Sequence, residues 1–145
     1  MKVLVVHGPN LNLLGRREPD VYGTKTLDDL NRRLNEAAAS LGITLDIHQT
    51  QHEGEIIELL HGGIGAVSGA IVNPGGYAHT SRAIADAFRA VGYPVVEVHL
   101  SNIHGREPWR ARSVTAEAAA GVVTGFEHAS YVAALHALKT LTEER

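Results

Sequence analysis

The residues best equipped for chemistry in this chain fall in three short stretches. In the first, Arg16, Arg17 and Tyr22 lie between Gly15 and Gly23. A free phenol has a pKa of about 10 and is a poor base near neutrality. An adjacent guanidinium favours the phenolate and keeps its own charge while doing so. Arg and Tyr also occur together on ordinary loops, so composition leaves both readings of 14–23 open. In the second stretch, Glu97 and His99 stand two apart and share one face of a strand. A carboxylate beside an imidazole orients the ring and suits it to general-acid work; a satisfied buried histidine would look the same in sequence. In the third, Asn73-Pro74-Gly75-Gly76 precedes a helix expected to begin near Thr80. That is either an anion cradle at a helix N-terminus or a tight strand-to-helix turn. Arg106 and Arg110, four apart, could clamp a carboxylate or form a solvated basic face.

Other chemistries lack their residues. The chain has no cysteine among its 145 residues, so it has no disulfide, no thiolate nucleophile and no Cys-ligated zinc, and a reducing cytoplasm suits it. Its nine histidines lack a metal-site spacing: there is no H-E-x-x-H, and His48 and His52 straddle a strand end and a loop. His61, His128 and His136 fall in or beside helices and read as surface or core residues. Lysines are few, and Lys2 and Lys139 fall away from the expected crevice, which disfavours a Schiff base. Neither a Walker nor a G-x-G-x-x-G pattern is present, so no nucleotide or flavin cofactor is indicated. The formal charge of −3 argues against a nucleic-acid or polyanionic membrane partner. The apolar run at residues 2–6 is too short to span a membrane or serve as a leader.

The elements that must position these residues can be read from periodicity. Val3–Val6 is an unbroken β-branched run, as expected of a strand buried on both faces. Gly8–Lys25 reads as a long polar connection, of the kind that is usually functional or disordered. Thr26 with Asp29 predicts a capped helix start; Leu27, Leu30, Leu34, Ala37, Ala38 and Leu41 recur at helical spacing, and Gly42 supplies the stop. Ile43–His48 alternates like an edge strand. Glu53–His61 and Thr80–Val91 read as helices, Ala70–Val72 and Val95–His99 as buried strands, and Leu100–Ser113 as a second irregular stretch. Gly121–Gly125 is the last strand. A closing helix spans Ala129–Leu141, with Ala133, Leu135 and Leu138 expected in the core. Strands alternating with helices predict an α/β fold, a flavodoxin-like doubly wound five-stranded parallel sheet in the order 2-1-3-4-5, as a single domain over 1–145. Ligands of such sheets bind outside the carboxyl ends of the strands. Those ends carry His7, Asn10, Asn12, Asn73, His79, Glu97, His99 and Ser101, and both long connections leave from the same edge.

Taken together, HGPNLNLLGRREPDVYG (7–23), VNPGGYAHTSRAIADA (72–87) and EVHLSNIHGREPWRARS (97–113) resemble the type II 3-dehydroquinate dehydratases over essentially the whole chain. The resemblance implies a cofactor-free, metal-free hydro-lyase that converts 3-dehydroquinate to 3-dehydroshikimate through an enolate. Its setting would be the cytoplasmic shikimate pathway, which leads to chorismate and the aromatic amino acids. It implies Tyr22 as the base, Arg17 as the charge that holds it as phenolate, and Asn10 beside a water on the enolate. His99 would be the general acid, oriented by Glu97. Asn73, His79 and Arg110 would contact substrate hydroxyls, and Leu100 and Ser101 its carboxylate. Asp86 would come from a neighbouring subunit of a dodecamer built as four trimers, and 14–23 would be a catalytic lid from which Arg16 faces solvent. Three features depart from the family pattern: Pro74 after Asn73, Tyr77 where a smaller or aliphatic residue is common, and Ala111-Arg112 where the second residue is usually His. A receiver-like signalling module and a flavin carrier are the rival readings. The first lacks an acidic pocket with a phosphorylatable Asp, and the second is opposed by bulky Leu11, Leu13 and Leu14.

Overall fold

The computed structural model describes residues 1–16, 18–22 and 24–145, with the backbone alone for Pro19 and Tyr22. Five strands, β1 (Lys2–His7), β2 (Thr44–Gln49), β3 (Gly69–Asn73), β4 (Val95–His99) and β5 (Gly121–Thr124), form one parallel sheet in the order β2-β1-β3-β4-β5. The helices are α1 (Pro19–Tyr22), α2 (Leu27–Ser40), α3 (Glu53–Gly62), α4 (Arg82–Ala90) and α5 (His128–Glu143). The doubly wound order read from the sequence is the order found, and β2 lies at an edge as expected.

Side-chain alternation splits the sheet's buried residues between two layers. Val3, Val5, Ile71, Val96 and Val98 face α2 and α5, with Leu30, Leu34, Tyr131, Ala134, Leu135 and Leu138. Leu4, Val6, Ala70, Val72 and Val95 face α3 and α4, with Ile56, Leu60, Ile84 and Phe88. This two-sided burial is why the central strands read as unbroken apolar runs. The start of α2 carries the predicted capping box: the Asp29 N–H donates to the Thr26 hydroxyl at 3.2 Å, and the Thr26 N–H donates to the Asp29 carboxylate at 2.9 Å.

Three expectations are corrected. Ala133 is exposed and Ala134 takes the buried position, one helical step round α5. The helix expected from Thr80 starts at Arg82; a 3-10 turn over Gly75–His79 comes first, and the Ser81 hydroxyl caps α4 by accepting from the Ile84 N–H at 3.0 Å. The connection after β1 is not structureless. It contains a 3-10 turn (Leu11–Leu13) and the single turn of α1, and Leu11 and Leu14 are buried in the α2/α5 layer. Burying two leucines pins the root of this segment to the core. No helix among the described residues is long and apolar enough to cross a membrane.

Candidate active site

The carboxyl ends of β1, β3 and β4 meet at a crevice of about 230 Å³. Glycine makes the meeting possible. A Cβ on Gly8 would sit 2.6 Å from the Asn73 carbonyl oxygen, to which the Gly8 N–H donates at 2.8 Å. A Cβ on Gly75, at φ +60°, would sit 3.2 Å from Pro9. The exits of β1 and β3 are thereby held edge to edge, and Asn10, itself in the left-handed region at φ 70°, is turned onto the rim. Its N–H donates to the Gln51 side chain at 2.8 Å.

Many of the residues singled out in the sequence meet here: Asn10, Asn73, His79, His99, Leu100, Ser101, Arg106 and Arg110 line the crevice, and Glu97 lies behind His99. Glu97 is fully buried and accepts from His99 Nε2 at 2.8 Å, which leaves Nδ1 as the ring nitrogen available to the crevice. The Ser113 hydroxyl donates to the same carboxylate at 2.7 Å, and the Thr115 hydroxyl to its other oxygen. Glu97 is thus placed wholly as an acceptor, which fixes the tautomer and the plane of His99. His79 stacks on His99 with ring centres 6.4 Å apart and touches the edge of Trp109 at 5.1 Å; its Nδ1 is 2.7 Å from the Arg112 carbonyl oxygen. It is the backbone of residue 112 that makes this contact, so an arginine there leaves it intact. The Arg112 guanidinium points away to Glu117.

One wall of the crevice is cationic. Arg106 and Arg110 both line it, with side chains only 10% and 15% exposed, so the solvated-face reading of this pair does not hold. Arg110 lies over the Trp109 ring at 4.1 Å and its Nε donates to Glu107, whose carboxyl is held below the usual range chiefly by that bond. Arg106 donates to the Ser101 hydroxyl at 3.3 Å and reaches Glu18 at 3.5 Å, which ties the 14–23 segment to this wall. Asn73-Pro74-Gly75-Gly76 behaves as a turn. The Gly75 N–H goes to Asn73 Oδ1 at 3.1 Å and the Tyr77 N–H to the Pro74 carbonyl at 3.3 Å, so these amides hold the turn rather than an anion. The Tyr77 hydroxyl, the unexpected residue there, donates to the Gln51 carbonyl at 3.0 Å and braces the rim.

Other predicted residues lie elsewhere. Asp86 sits on α4, outside the crevice, 80% exposed and 3.4 Å from Arg89. Arg16 is exposed, as expected. Arg17, Gly23 and the Tyr22 side chain lie outside the described residues. Sequence reasoning missed Ser113 and Thr115 as the clamps on Glu97; both are ordinary hydroxyls whose role appears only when the chain folds back 16 and 18 residues later. It also missed Trp109, whose signal was its place between two basic residues in the last motif. In a larger depression of about 470 Å³ beside β2 and α3, Asp46 is engaged with His48 at 2.8 Å and Thr50 with Glu55. It lacks the convergence of groups seen at the strand ends.

Comparison with known proteins agrees with the fold and motifs. Residues 1–139 match the family model described as dehydroquinase class II. The chain is 52% identical over 143 residues to the 3-dehydroquinate dehydratase of Halothermothrix orenii, covering 99% of this chain and 97% of that one. It is 54% identical over 137 residues to the one from Desulforudis audaxviator, covering 94% and 91%. The crystal structure of the type II dehydroquinase from Butyrivibrio crossotus superposes with a TM-score of 0.94 at 38% identity, covering 96% of this chain and 97% of that one. By sequence along nearly its whole length and by the sheet that carries its crevice, this chain belongs to the class II dehydroquinase family.

Proposed function

We propose that this protein dehydrates 3-dehydroquinate to 3-dehydroshikimate, in the cytoplasmic shikimate pathway toward chorismate and the aromatic amino acids. The observation that carries the reading is His99. It is a crevice-lining imidazole whose Nε2 is committed to a buried carboxylate, in a chain of this family. An anti elimination through an enolate needs a base, an acid and an oxyanion stabiliser.

Tyr22, assigned from its motif, takes a proton from C2, with Arg17 favouring its phenolate. The electron pair left at C2 delocalises onto the C3 carbonyl oxygen, where a water held by Asn10 stabilises the charge. Collapse of this enolate expels the C1 hydroxyl, which takes a proton from His99 and leaves as water. Glu97 keeps the ring oriented throughout. Asn73, His79 and Arg110 hold hydroxyls of the substrate, and the Leu100 and Ser101 amides with the Ser101 hydroxyl hold its carboxylate. The cationic wall made by Arg106 and Arg110 supports a carboxylate-bearing substrate. Segment 14–23 serves as the lid, and the Glu18–Arg106 contact supports its placement over that wall. Asp86, on the outer surface, serves the crevice of a neighbouring subunit in a dodecamer of four trimers.

The direct test mixes the purified protein with 3-dehydroquinate and follows the ultraviolet absorbance of the conjugated enone. Turnover is expected, and Tyr22→Phe should lose most of kcat with little change in KM. Absence of turnover above background by the unmodified chain overturns the reading, and a near-normal rate for Tyr22→Phe removes that residue from the mechanism.

A further inference from the structure

Behind His99 and Glu97 the chain returns as a short strap, residues 112–116. The strap is fastened to the turn that carries His79: the Val114 N–H donates to the Ala78 carbonyl at 2.8 Å, and His79 Nδ1 meets the Arg112 carbonyl at 2.7 Å. From that anchored position it delivers the Ser113 and Thr115 hydroxyls to Glu97. Glu97 and Thr115 are both fully buried. Taking a carboxylate out of water is costly unless other donors replace the water. We propose that Ser113 and Thr115 are positioning residues for the proton donor: together they hold Glu97 as an anion, so that the proton used at the crevice stays on His99.

The lengths of the contacts decide which way the hydrogens run. Each hydroxyl has one hydrogen to give. Bonds from a hydroxyl to an oxygen fall at about 2.5 to 3.0 Å. Ser113 Oγ lies 2.7 Å from Glu97 Oε2, 3.1 Å from Thr115 Oγ1 and 3.3 Å from the Ala78 carbonyl, so its hydrogen goes to Glu97. It also accepts the Ala116 N–H at 3.0 Å, a donor that cannot be reversed. Among the described residues the Thr115 hydroxyl meets only Glu97 Oε1 and Ser113. A protonated Glu97 donating to Thr115 would leave the Thr115 hydrogen nothing but the 3.1 Å contact with Ser113. With Glu97 ionised, that hydrogen goes to Oε1 instead. His99 Nε2, at 2.8 Å, is the third donor. A buried carboxyl that accepts three hydrogen bonds is held in its charged form, and an anion at Nε2 in turn favours the protonated ring of His99. Without one of the hydroxyls, Glu97 takes up a proton more readily and the ring loses its charged partner.

The kinetic arm of the test rests on the proposed dehydratase reading; the charge of Glu97 does not. An infrared difference spectrum of the folded wild-type chain against Glu97→Gln, taken at neutral pH, should show the loss of a carboxylate band. Loss of a protonated-carboxyl band instead overturns the proposal, whether or not the enzyme turns over. In the kinetic arm, Thr115→Val keeps the branched shape and removes the hydroxyl. It should lower kcat on 3-dehydroquinate about tenfold near neutral pH with KM within about twofold, the size of one hydrogen bond lost from a charged group. It should also move the alkaline limb of the kcat profile about one pH unit lower, because the acid gives up its proton more readily. Thr115→Ser restores the hydroxyl and should recover most of the lost kcat and return the limb toward its wild-type place. The other charged or titratable groups lining the crevice among the described residues, His79, Arg106 and Arg110, are the same in both variants. No fall in kcat, a fall with the limb unmoved, or a Thr115→Ser enzyme no better than Thr115→Val overturns the positioning role. If Thr115→Val does not fold, Ser113→Ala and its rescue by Ser113→Thr are read the same way, and if neither folds the wild-type band decides. No turnover by the wild-type chain counts against the dehydratase reading and leaves the infrared test standing.

Discussion

His7 closes β1 and His99 closes β4, both buried, and they lie on opposite faces of the same sheet. Their neighbours differ in kind. Among the described residues the hydrogen-bond partners of His7 are neutral, Asn31 and Tyr131; the bond to Asn31 offsets only part of the cost of charging it, and burial lowers its pKa to about 4. The same burial pushes the Tyr131 phenol up. Behind His99 lies a carboxylate that itself receives two hydroxyls. One ring has neutral partners on both nitrogens; the other has a carboxylate on one nitrogen and the crevice at the other. Burial alone therefore says little about what a histidine does. The partner on the far nitrogen decides.

The largest effect should come from breaking the acidic side. His99→Ala removes the proposed acid and should lower kcat by about 10³-fold, within the usual range for general acid catalysis. Glu97→Gln keeps the shape of the partner and removes its charge, and should lower kcat by about 10²-fold with KM little changed, because a neutral amide supports a protonated ring less well than a carboxylate. Steady-state kinetics on both variants checks this. A Glu97→Gln enzyme as fast as wild type would show that Glu97 only fills space.

The contrast also explains what could be read in advance. The sheet order was legible because buried parallel strands leave unbroken apolar runs such as Val3–Val6, and Thr26 with Asp29 announces a capped helix at short range. The pair Glu97 and His99 was legible because strand alternation alone puts them together. Ser113 and Thr115 were not, since their roles depend on where an irregular loop returns. Nor was the partnership of His7 with Tyr131, which stand 124 residues apart and meet only when α5 closes on the sheet. Ala133 was misplaced because alanines fill positions 133, 134 and 137 of that helix, and a run of small residues carries no phase.

The neutral side should answer to pH through stability. His7 has an ordinary pKa of 6.5 when unfolded and about 4 when folded. Between those values the unfolded chain holds a proton that the folded chain refuses, so stability is full above about pH 6.5 and falls as pH drops toward 4. A shift of that size corresponds to about 3 kcal/mol across the window, roughly a 10²-fold change in the folding equilibrium. His128, whose pKa is also lowered, chiefly by burial, adds a slope of the same sign. Urea unfolding at pH 7 and pH 4.5 should show the loss in the wild-type chain and a much smaller one in His7→Asn. Equal losses would assign the acid sensitivity to other groups.

The smallest effect isolates the scaffold that holds the neutral side. Asn31 reaches His7 from the first turns of α2, and that end of the helix is fastened by the Thr26–Asp29 box. Thr26→Ala deletes the acceptor for the Asp29 N–H and should cost about 1 kcal/mol of stability at neutral pH. The Thr26 N–H also holds the Asp29 carboxyl below its ordinary range, so the Asp29 half of the box persists until the pH falls through that lowered value. Thr26 touches neither crevice wall, so kcat on 3-dehydroquinate should stay within about twofold while the urea midpoint falls. A loss of kcat larger than the loss of stability can explain would mean that α2 reaches the chemistry through the contact of Asn31 with His7, and would join the two histidines into one machine rather than two.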